Sequence, residues 1–461
     1  MVETQLNNPL VIETDAVVLG AGLAGISAAI HLARKGFRVL CIEQRTDIRN
    51  SVGESLDWSA PELFAKLGLS MEALIAAGAA TWKRHITVIG QECGENQYLP
   101  GAWLAESPWN VEIRTLHLDR ERVDACLRDT AQRIGVSTLH ERVADFCILD
   151  EPSTRHRRVI GLRTQQGTFV RASWFIDASG SDASLLARRF RLKPVTYGPR
   201  KVAIWAHLPT QDWADGTALY MLSSPGKYME WIWEIPIQPG ISSIGYIASG
   251  ASIKRQRSKG LRPQRILADK CANFPRLQSL VEQTGAFHTR STTFTCRTYR
   301  GICGANWIIV GEAASQSDPI TGNGVTAALR HAEEATALIC RYRDRGTIPP
   351  FARAVYDHRV STVGRYFNSL IENLFYQPAL RDRVGLFPTA RIYTVPAWLL
   401  NLVYTRLRPD GVFRTLLISF LMSSIRLSVW TAFQGGSLVN RLLPNSSPDR
   451  MSTAEEQSYA F

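Results

Sequence analysis

A short apolar stretch followed at once by a glycine-rich turn constrains this chain more than any other feature. The turn is Gly20-Ala21-Gly22-Leu23-Ala24-Gly25, and a small-residue helix is expected after it. The first glycine allows the tight turn, the second lets the backbone approach a pyrophosphate, and the third lets helix and strand pack closely. Glu43 ends the next apolar stretch about 20 residues on, where a carboxylate can bind a ribose. The pattern predicts a dinucleotide site that includes Gly20, Gly22, Leu23, Ala24, Gly25, Glu43, Gln44 and Arg45.

The composition is that of a globular protein with a large core. The 461 residues are 45% hydrophobic and 20% charged, which is enough for two or more domains. A net charge of +12 favours an anionic partner or substrate, or is simply a solvated basic surface. No nucleic-acid-binding motif accompanies this charge, so we expect no nucleic-acid partner.

The cysteine and hydropathy patterns bear on metals and location. The eight cysteines include no Cys-x-x-Cys pair, and the histidines lack metal-ligand spacing, so we expect no metal site. Reduced thiols are typical of a cytoplasm. Residues 1–14 do not read as a signal peptide, and no apolar stretch is long enough to span a bilayer. We therefore expect a cytoplasmic protein without a transmembrane segment.

The order of helical and strand patterns predicts an α/β fold with a discontinuous nucleotide-binding domain. We expect a Rossmann-like domain, an inserted β-sheet substrate domain and a C-terminal helical region. We also expect one helix over residues 60–77 and another over residues 116–134. The predicted boundaries are 10–78, 112–195 and 295–345 for the nucleotide domain, 79–111 and 196–294 for the sheet domain, 346–445 for a helical cap, and 446–461 for a disordered tail.

Three further segments indicate that the dinucleotide is FAD. The first is a turn after a buried strand, the second an acid that can bind a ribityl hydroxyl, and the third a helix start whose N–H groups favour the electron-rich edge of a reduced flavin. A second glycine-rich unit of the kind that binds NAD(P) is missing from the sequence. The predicted residues are Asp177, Ala178 and Gly180, then Gly311 and Glu312, then Pro319, Gly322, Asn323, Gly324 and Val325.

With these motifs in this order, residues 13–345 resemble FAD monooxygenases of the p-hydroxybenzoate hydroxylase fold, and among them the flavin-dependent halogenases and halogenase-like hydroxylases. The resemblance implies that Glu54 and Ser55 of a Gly-Glu-Ser loop lie against the isoalloxazine, and that Arg120 contacts the flavin. Trp231-Ile232-Trp233-Glu234-Ile235-Pro236 is similar to the halogenase Trp-x-Trp-x-Ile-Pro signature. Strand alternation puts Trp231 and Trp233 on one face, as an apolar wall near the flavin.

The resemblance leaves two reactions open. Oxygen on the reduced flavin gives a C4a-hydroperoxide, which either hydroxylates an electron-rich ring or oxidises a halide that a lysine then delivers. Lys83 lies near the position of that lysine, but His85 stands where halogenases have glycine. Thr321-Gly322-Asn323-Gly324 also departs from the halide loop and looks like the loop of geranylgeranyl-reductase-type flavoproteins. We therefore expect hydroxylation of an indole, phenol or pyrrole bordered by Lys83, Trp231 and Trp233, with halogenation through Lys83 as the alternative.

The resemblance also implies the supply of electrons and the form of the substrate. FAD would be reduced by NAD(P)H directly or by a partner flavin reductase, and oxygen would be the co-substrate. The aromatic ring is either free or attached to an acidic carrier or protein partner, such as a tryptophan oxidised during quinone-cofactor maturation. Two less favoured alternatives are a geranylgeranyl-reductase-like flavin reductase and a non-catalytic flavin-binding module.

Overall fold

The computed structural model contains two large sheets and a two-stranded sheet. It describes residues 10–45, 52–90, 94–98, 115–151, 156–180, 184–211, 215–222, 226–378, 381–382, 399–400, 402–404, 406–425 and 427. In chain order its strands are β1 (Val11–Leu19), β2 (Val39–Ile42), β3 (Ala80–Lys83), β4 (His85–Gly90), β5 (Gly94–Tyr98), β6 (Thr115–Leu118), β7 (Ser137–Leu139), β8 (Val143–Glu151), β9 (His156–Thr164), β10 (Phe169–Asp177), β11 (Val195–Pro209), β12 (Gly216–Met221), β13 (Trp231–Gln238), β14 (Ile241–Ser249), β15 (Arg290–Thr298), β16 (Trp307–Ile309) and β17 (Ser315–Gln316).

The first sheet carries the nucleotide-binding features. Its order is β7-β2-β1-β10-β9-β8, with β16 added beside β10, and β1 is parallel to both β2 and β10. Residues 16–19 of β1 are fully buried, as expected for a parallel strand covered on both faces. The helices Leu23–Ala33 and Asn323–Arg341 pack against each other on this sheet. The carboxyl ends of β1, β10 and β16 therefore meet at one edge.

The second sheet has eight strands in the order β17-β15-β11-β14-β13-β12-β4-β5. Its two faces are buried in different ways. One face packs with apolar residues of three helices, and the other forms a core that contains Trp231, Trp233 and Tyr376. The three helices lie inside the segment predicted as sheet, and no helix was predicted there. They are Gly250–Ser258, Pro263–Cys271 and Pro275–Thr284.

Two predicted helices differ from the structure. The helix expected over residues 60–77 is two helices, Ala60–Lys66 and Met71–Ala76. The helix expected from residue 116 begins later, at Arg120–Arg133. Asp119 caps that helix by accepting hydrogen bonds from the N–H groups of the next turn, and the apolar residues before it continue as β6.

The described part of the C-terminal region packs on the second sheet and on the helix Asn323–Arg341. The helix Pro350–Ile371 runs into a π-helical turn, Glu372–Tyr376. Glu334 of the preceding helix pairs with Arg359 at 2.8 Å and with Arg414 at 3.1 Å, and all three are buried. The predicted tail over residues 446–461 lies outside the described residues. Within the described part of the chain, no helix is long and apolar enough to cross a membrane.

Candidate flavin site

The glycine-rich turn has the shape that a pyrophosphate needs. A Cβ on Gly20, whose φ is +93°, would lie 2.6 Å from the Ala178 carbonyl oxygen, and a Cβ on Gly25 would lie 1.9 Å from the Gly20 carbonyl oxygen. The Cβ position of Gly22, in contrast, has no atom within 4 Å. Two glycines are thus required by close packing, and the third leaves open space at the start of the helix. This arrangement fits a phosphate bound to helix N–H groups.

The predicted ribose-binding acid lies at the same turn. Glu43 Oε2 accepts a hydrogen bond from Ala21 N at 2.8 Å, and Oε1 accepts one from Arg45 N at 3.0 Å. The side chains of Gln44 and Arg45 are exposed at its edge. Leu23 and Ala24 form the first turn of the following helix, and Gly311 approaches Ala24 so closely that a Cβ there would be 2.7 Å from the Ala24 methyl. The exposed Glu312 follows Gly311, so both predicted acids lie close to this helix start.

Asp177 stabilises the turn that follows β10 through hydrogen bonds to its carboxylate. Its carboxylate accepts hydrogen bonds from Ser179 N and Oγ, from Ser184 Oγ and from Leu186 N. The group is fully buried, and burial raises its pKa. Ala178 N donates to Leu19 O, which fixes the turn on β1, while Gly180 lies in open space. Asp177 therefore holds the turn, and each of its two carboxylate oxygens accepts two hydrogen bonds from the turn itself.

Three segments far apart in the sequence meet at the predicted isoalloxazine position. A Cβ on Gly53 would lie 2.9 Å from Arg120 Nη1 and 3.2 Å from a Val325 methyl. A Cβ on Gly322 would lie 2.9 Å from the Ser55 carbonyl oxygen. Arg120 is held in place because it pairs with Asp124 at 3.2 Å and donates to Val52 O at 3.0 Å.

The helix start that faces this loop also has the predicted form. Pro319 lies in the short 3-10 turn that precedes the helix, and Gly322 has left-handed backbone geometry with a φ of +63°. Asn323 and Gly324 form the first turn of the helix, the end of a helix dipole that favours negative charge. On the loop side, Glu54 is buried and accepts a hydrogen bond from His207 Nε2 at 2.8 Å.

Lys83 ends β3 beside the Gly-Glu-Ser loop. Its side chain is 8% exposed, and Nζ donates to the Leu56 carbonyl oxygen at 2.8 Å. Burial lowers the pKa of this amine to about 8, and the more distant Asp57 only partly opposes that shift. Lys83 forms no ion pair with any described residue. A buried amine without a carboxylate partner is partly neutral near physiological pH.

A chain of hydrogen bonds runs behind Lys83 to Ser55. Thr81 Oγ1 donates to Pro236 O at 2.5 Å and contacts His117 Nδ1 at 3.3 Å. His117 Nε2 contacts Thr217 Oγ1 at 2.9 Å, and Thr217 Oγ1 contacts Ser55 Oγ at 2.9 Å. Because the Thr81 proton is given to a carbonyl, Nδ1 must donate and Nε2 must accept. Burial keeps the pKa of His117 well below its usual value, so this ring is neutral.

The structure explains how a histidine fits at position 85, where halogenases have glycine. His85 of β4 pairs with Gly216 of β12, and a Cβ on Gly216 would lie 2.4 Å from the His85 ring. The imidazole therefore occupies space that a side chain on β12 would otherwise fill. A glycine on the partner strand compensates for the missing glycine after Lys83, and the backbone of β3 and β4 is undisturbed.

The two tryptophans of the signature are interior residues of the second sheet. Trp231 and Trp233 are 2% and 3% exposed, and their rings lie 5.9 Å apart. Trp231 Nε1 donates to Tyr376 Oη at 2.9 Å, and Trp233 Nε1 donates to Ser243 Oγ at 3.1 Å. Both lie in the core against which Val52 and Ile320 pack. Trp231 and Trp233 therefore lie inside the second sheet, next to the two loops that carry Val52 and Ile320.

Sequence reasoning missed the groups that anchor this core. Lys201, Asp318, Glu372 and Tyr376 are buried and connected to one another. Asp318 before Pro319 could have been recognised as a cap for the following turn. Nothing marks Lys201, because it is a lone lysine in a strand. No cluster that could hold a metal ion is present among the described residues.

Comparisons with known proteins agree with this geometry. The tryptophan halogenase family model matches residues 105–391, and the FAD dependent oxidoreductase model matches residues 15–109. The first match covers more than half of the chain. The protein belongs to the tryptophan halogenase family. The FAD dependent oxidoreductase match includes the cradle around Gly22, whose geometry fits the binding of FAD.

Individual relatives in this family are distant. A tryptophan 2-halogenase from Chondromyces crocatus is 25% identical over 71% of this chain and 61% of its own length. A 1H-pyrrole-2-carbonyl-[peptidyl-carrier protein] brominase from Pseudoalteromonas luteoviolacea is 26% identical over 70% of this chain and 77% of its own. The chain thus spans about three fifths of the first of these relatives. The structure of the flavin-dependent brominase Bmp2 has the same fold, with a TM-score of 0.64 at 22% identity, over 84% of this chain and 98% of that one.

Proposed function

We propose that this protein is a flavin-dependent halogenase of an electron-rich aromatic ring, with Lys83 as the residue that transfers the halogen. Family membership favours halogenation over the hydroxylation that the sequence favoured. The observation that carries the proposal is the buried, carboxylate-free amine of Lys83, which donates to Leu56 next to the flavin loop. Roughly a tenth of an amine with a pKa of about 8 is neutral at pH 7, against well under a thousandth of an ordinary lysine.

The chain's own residues divide the work as follows. When bound and reduced, FAD would supply the two electrons that activate oxygen, so that a halide would be oxidised to hypohalous acid and water would be formed. The neutral Lys83 amine takes the halogen and releases water, and the N-halogen bond breaks when the aromatic carbon takes the halogen and returns a proton to nitrogen. Arg120 and the N–H groups at Asn323 and Gly324 hold the flavin. Glu43 and Glu312 bind its ribose and ribityl hydroxyls.

The substrate is an indole, phenol or pyrrole, either free or attached to an acidic carrier. The net charge of +12 supports an acidic partner, and the pyrrole brominase relative acts on a ring bound to a carrier protein. A flavin reductase supplies the electrons. The protein works in the cytoplasm, which is supported by the free thiols of the seven described cysteines.

Hydroxylation is the second candidate, and one observation favours it. Thr321-Gly322-Asn323-Gly324 departs from the halide loop of the halogenases, and Gly322 lies against the Ser55 carbonyl oxygen. If this loop does not hold a halide, the activated oxygen would enter the ring directly. The substrate could then be an aromatic residue of a partner protein, including a tryptophan that becomes a quinone cofactor.

One experiment separates the two candidates. The purified protein receives FAD, a flavin reductase with NADH, oxygen and a panel of indoles, phenols and pyrroles, with bromide, chloride or neither. Halogenation predicts a mass gain of one halogen that requires the halide. It also predicts loss of that product in Lys83→Met, with Lys259→Met as a control at an exposed lysine. A gain of oxygen that is independent of halide and of Lys83 would overturn the proposal in favour of hydroxylation.

A further inference from the structure

The loop that begins the flavin-facing helix is anchored by a buried ionic network. Asp318 is 1% exposed and stands directly before Pro319. Its Oδ1 accepts hydrogen bonds from Ile320 N at 3.1 Å and from Tyr376 Oη at 3.0 Å. Its Oδ2 accepts one from Lys201 Nζ at 2.7 Å. The carboxylate therefore ties the loop to a strand of the second sheet and to the C-terminal π-helical turn.

Lys201 holds more than this one acid. Its Nζ also lies 3.4 Å from Glu372 Oε2 and 3.7 Å from the centre of the Tyr376 ring. Glu372 accepts further hydrogen bonds from Tyr228 Oη at 2.9 Å and from Gln377 Nε2 at 2.8 Å. The charge of Lys201 is thus shared by two carboxylates and an aromatic face. Attraction to these acids outweighs burial, and the pKa of Lys201 is raised.

The backbone of β11 is built around this contact. The pairing of β11 with β15 is irregular between Tyr197 and Lys201. Gly198 in that interval has a φ of +68°, and a Cβ there would lie 2.1 Å from Glu372 Oε2. A residue with a side chain would therefore displace the acid. The irregularity leaves room for Glu372 beside Gly198, so that its carboxylate reaches Lys201.

Trp231 of the signature enters the same network. Its indole N–H donates to Tyr376 Oη, which in turn donates to Asp318. Trp233 lies two residues further along the same strand. Its indole N–H donates to Ser243 Oγ instead, so Trp233 is not part of the network. The two tryptophans therefore differ in what they support. Only Trp231 is connected to the loop that reaches Ser55 through Gly322.

We propose that Lys201 and Tyr376 are positioning residues that act through Asp318 to place the Pro319–Asn323 loop on the flavin, and that Trp231 serves the reaction through this network. The inference rests on FAD binding at this loop and not on the identity of the transferred atom. Lys201 neutralises Asp318, Tyr376 orients it, and Trp231 orients Tyr376. A shift of the loop by a fraction of an ångström would change both the environment of the flavin and the rate.

A matched pair of substitutions tests the proposal. Tyr376→Phe removes the hydrogen-bond acceptor of Trp231 and the donor to Asp318, and Ser243→Ala removes the acceptor of Trp233. We expect Tyr376→Phe to shift the visible absorption of bound FAD and to lower turnover about tenfold or more, with a smaller change in KM. Ser243→Ala should leave the flavin absorption unchanged. The proposal is overturned if both variants keep the original spectrum and turnover and lose only thermal stability.

A second pair of variants tests the role of the positive charge on Lys201. Lys201→Met leaves Asp318 without its cation, so the flavin spectrum should change as in Tyr376→Phe. Adding Asp318→Asn to that variant removes the unpaired charge, and at least part of the original spectrum should return. An unchanged spectrum in Lys201→Met, or a double variant no better than the single one, contradicts the proposal. Flavin absorption is read without substrate or halide, so a failure here is distinct from a failure of the halogenase proposal.

Discussion

Lys83 and Lys201 are both buried, yet their surroundings give them opposite properties. Among the described residues, the hydrogen-bond partner of Lys83 is a carbonyl oxygen, and burial lowers the pKa of its amine to about 8. Lys201 contacts Asp318 and Glu372, and its pKa is raised. Burial alone therefore does not make a lysine reactive. The number of carboxylates nearby decides whether the amine becomes available for chemistry or serves as a fixed cation.

The largest effect on the unfolding free energy should come from replacing Lys201, which is paired with two acids. Lys201→Met leaves two buried carboxylates without their shared cation, which typically costs about 3–5 kcal/mol of unfolding free energy. Urea unfolding at pH 7 measures it, with Asp318→Asn/Lys201→Met as the control that removes the uncompensated charge. If the single variant loses less than the double variant, the two lysines do not differ in the way described.

Replacing Lys83, which forms no ion pair with any described residue, should raise the unfolding free energy rather than lower it. In the folded protein the pKa of Lys83 is about 8 against an ordinary 10.5, so the unfolded chain binds more protons in this range. Stability should rise as pH increases from about 8 towards 10.5, and below pH 8 the full penalty applies. Lys83→Met should therefore raise the unfolding free energy at pH 7 by on the order of 2 kcal/mol, while product formation is lost. A less stable Lys83→Met protein would indicate a merely structural lysine.

The lowered pKa of Lys83 also predicts how kcat depends on pH. If the neutral amine of Lys83 takes the halogen, kcat should rise about tenfold per pH unit below the pKa and level off above pH 8. Reaction of Lys83 with an amine-specific reagent, followed by peptide mass spectrometry, should show the same midpoint. Lys201 should remain unlabelled in the folded protein over that range. A rate that falls above pH 8 would mean that the ammonium form is the active one.

The hydrogen-bond chain behind Lys83 should have an intermediate effect. Thr217→Val breaks the contacts to both His117 and Ser55, and Thr217→Ser keeps a hydroxyl at the same place. We expect Thr217→Val to cost about 1–3 kcal/mol of unfolding free energy, because His117 Nε2 is left buried without a donor. Turnover should fall with it and recover in Thr217→Ser. Equal behaviour of the two variants would show that the hydroxyl is not needed.

The smallest effect should come from His85. Replacing it by glycine restores the family pattern but opens space opposite Gly216. His85→Gly should change the unfolding free energy by about 1 kcal/mol or less and leave the pH midpoint of Lys83 near 8. His85→Gly with Gly216→Ala, which refills the space from the other strand, should recover the loss. A large shift of the Lys83 midpoint would make His85 part of the site.

Sequence predicted the site where its groups are close in the chain or follow fixed motifs. The spacing from Gly20 to Glu43 is local, and the structure joins both at one turn. The resemblance predicted that the Gly-Glu-Ser loop and Arg120 lie at the flavin; in the structure Gly53 lies next to Arg120, and their contact with FAD stays a prediction. Lys201 could not be found, because its partners Asp318 and Glu372 lie more than a hundred residues away. Pairing over such distances is set by sheet topology rather than by local pattern.

Two of the differences between the predicted and the observed helices show how tertiary structure overrides local pattern. The apolar residues before Arg120 fit a helical period, but Asp119 caps the helix and the preceding residues pair with β3. No helix was predicted between residues 250 and 284, where the structure has three helices whose apolar residues pack on the second sheet. Each case shows that a cap or a tertiary pairing outweighs hydrophobic periodicity.

The π-helical turn at Glu372–Tyr376 connects the end of the long helix to the loop around Pro319 through the hydrogen bond from Tyr376 to Asp318. A shortened gene product that stopped at Ile371 would keep every glycine-rich motif and all of the parallel sheet. It would nevertheless lose the phenol and the acid that brace the stretch around Pro319. Such a fragment should still colour yellow with coenzyme while turning over poorly, so the boundary for any minimal enzyme has to be drawn after Gln377.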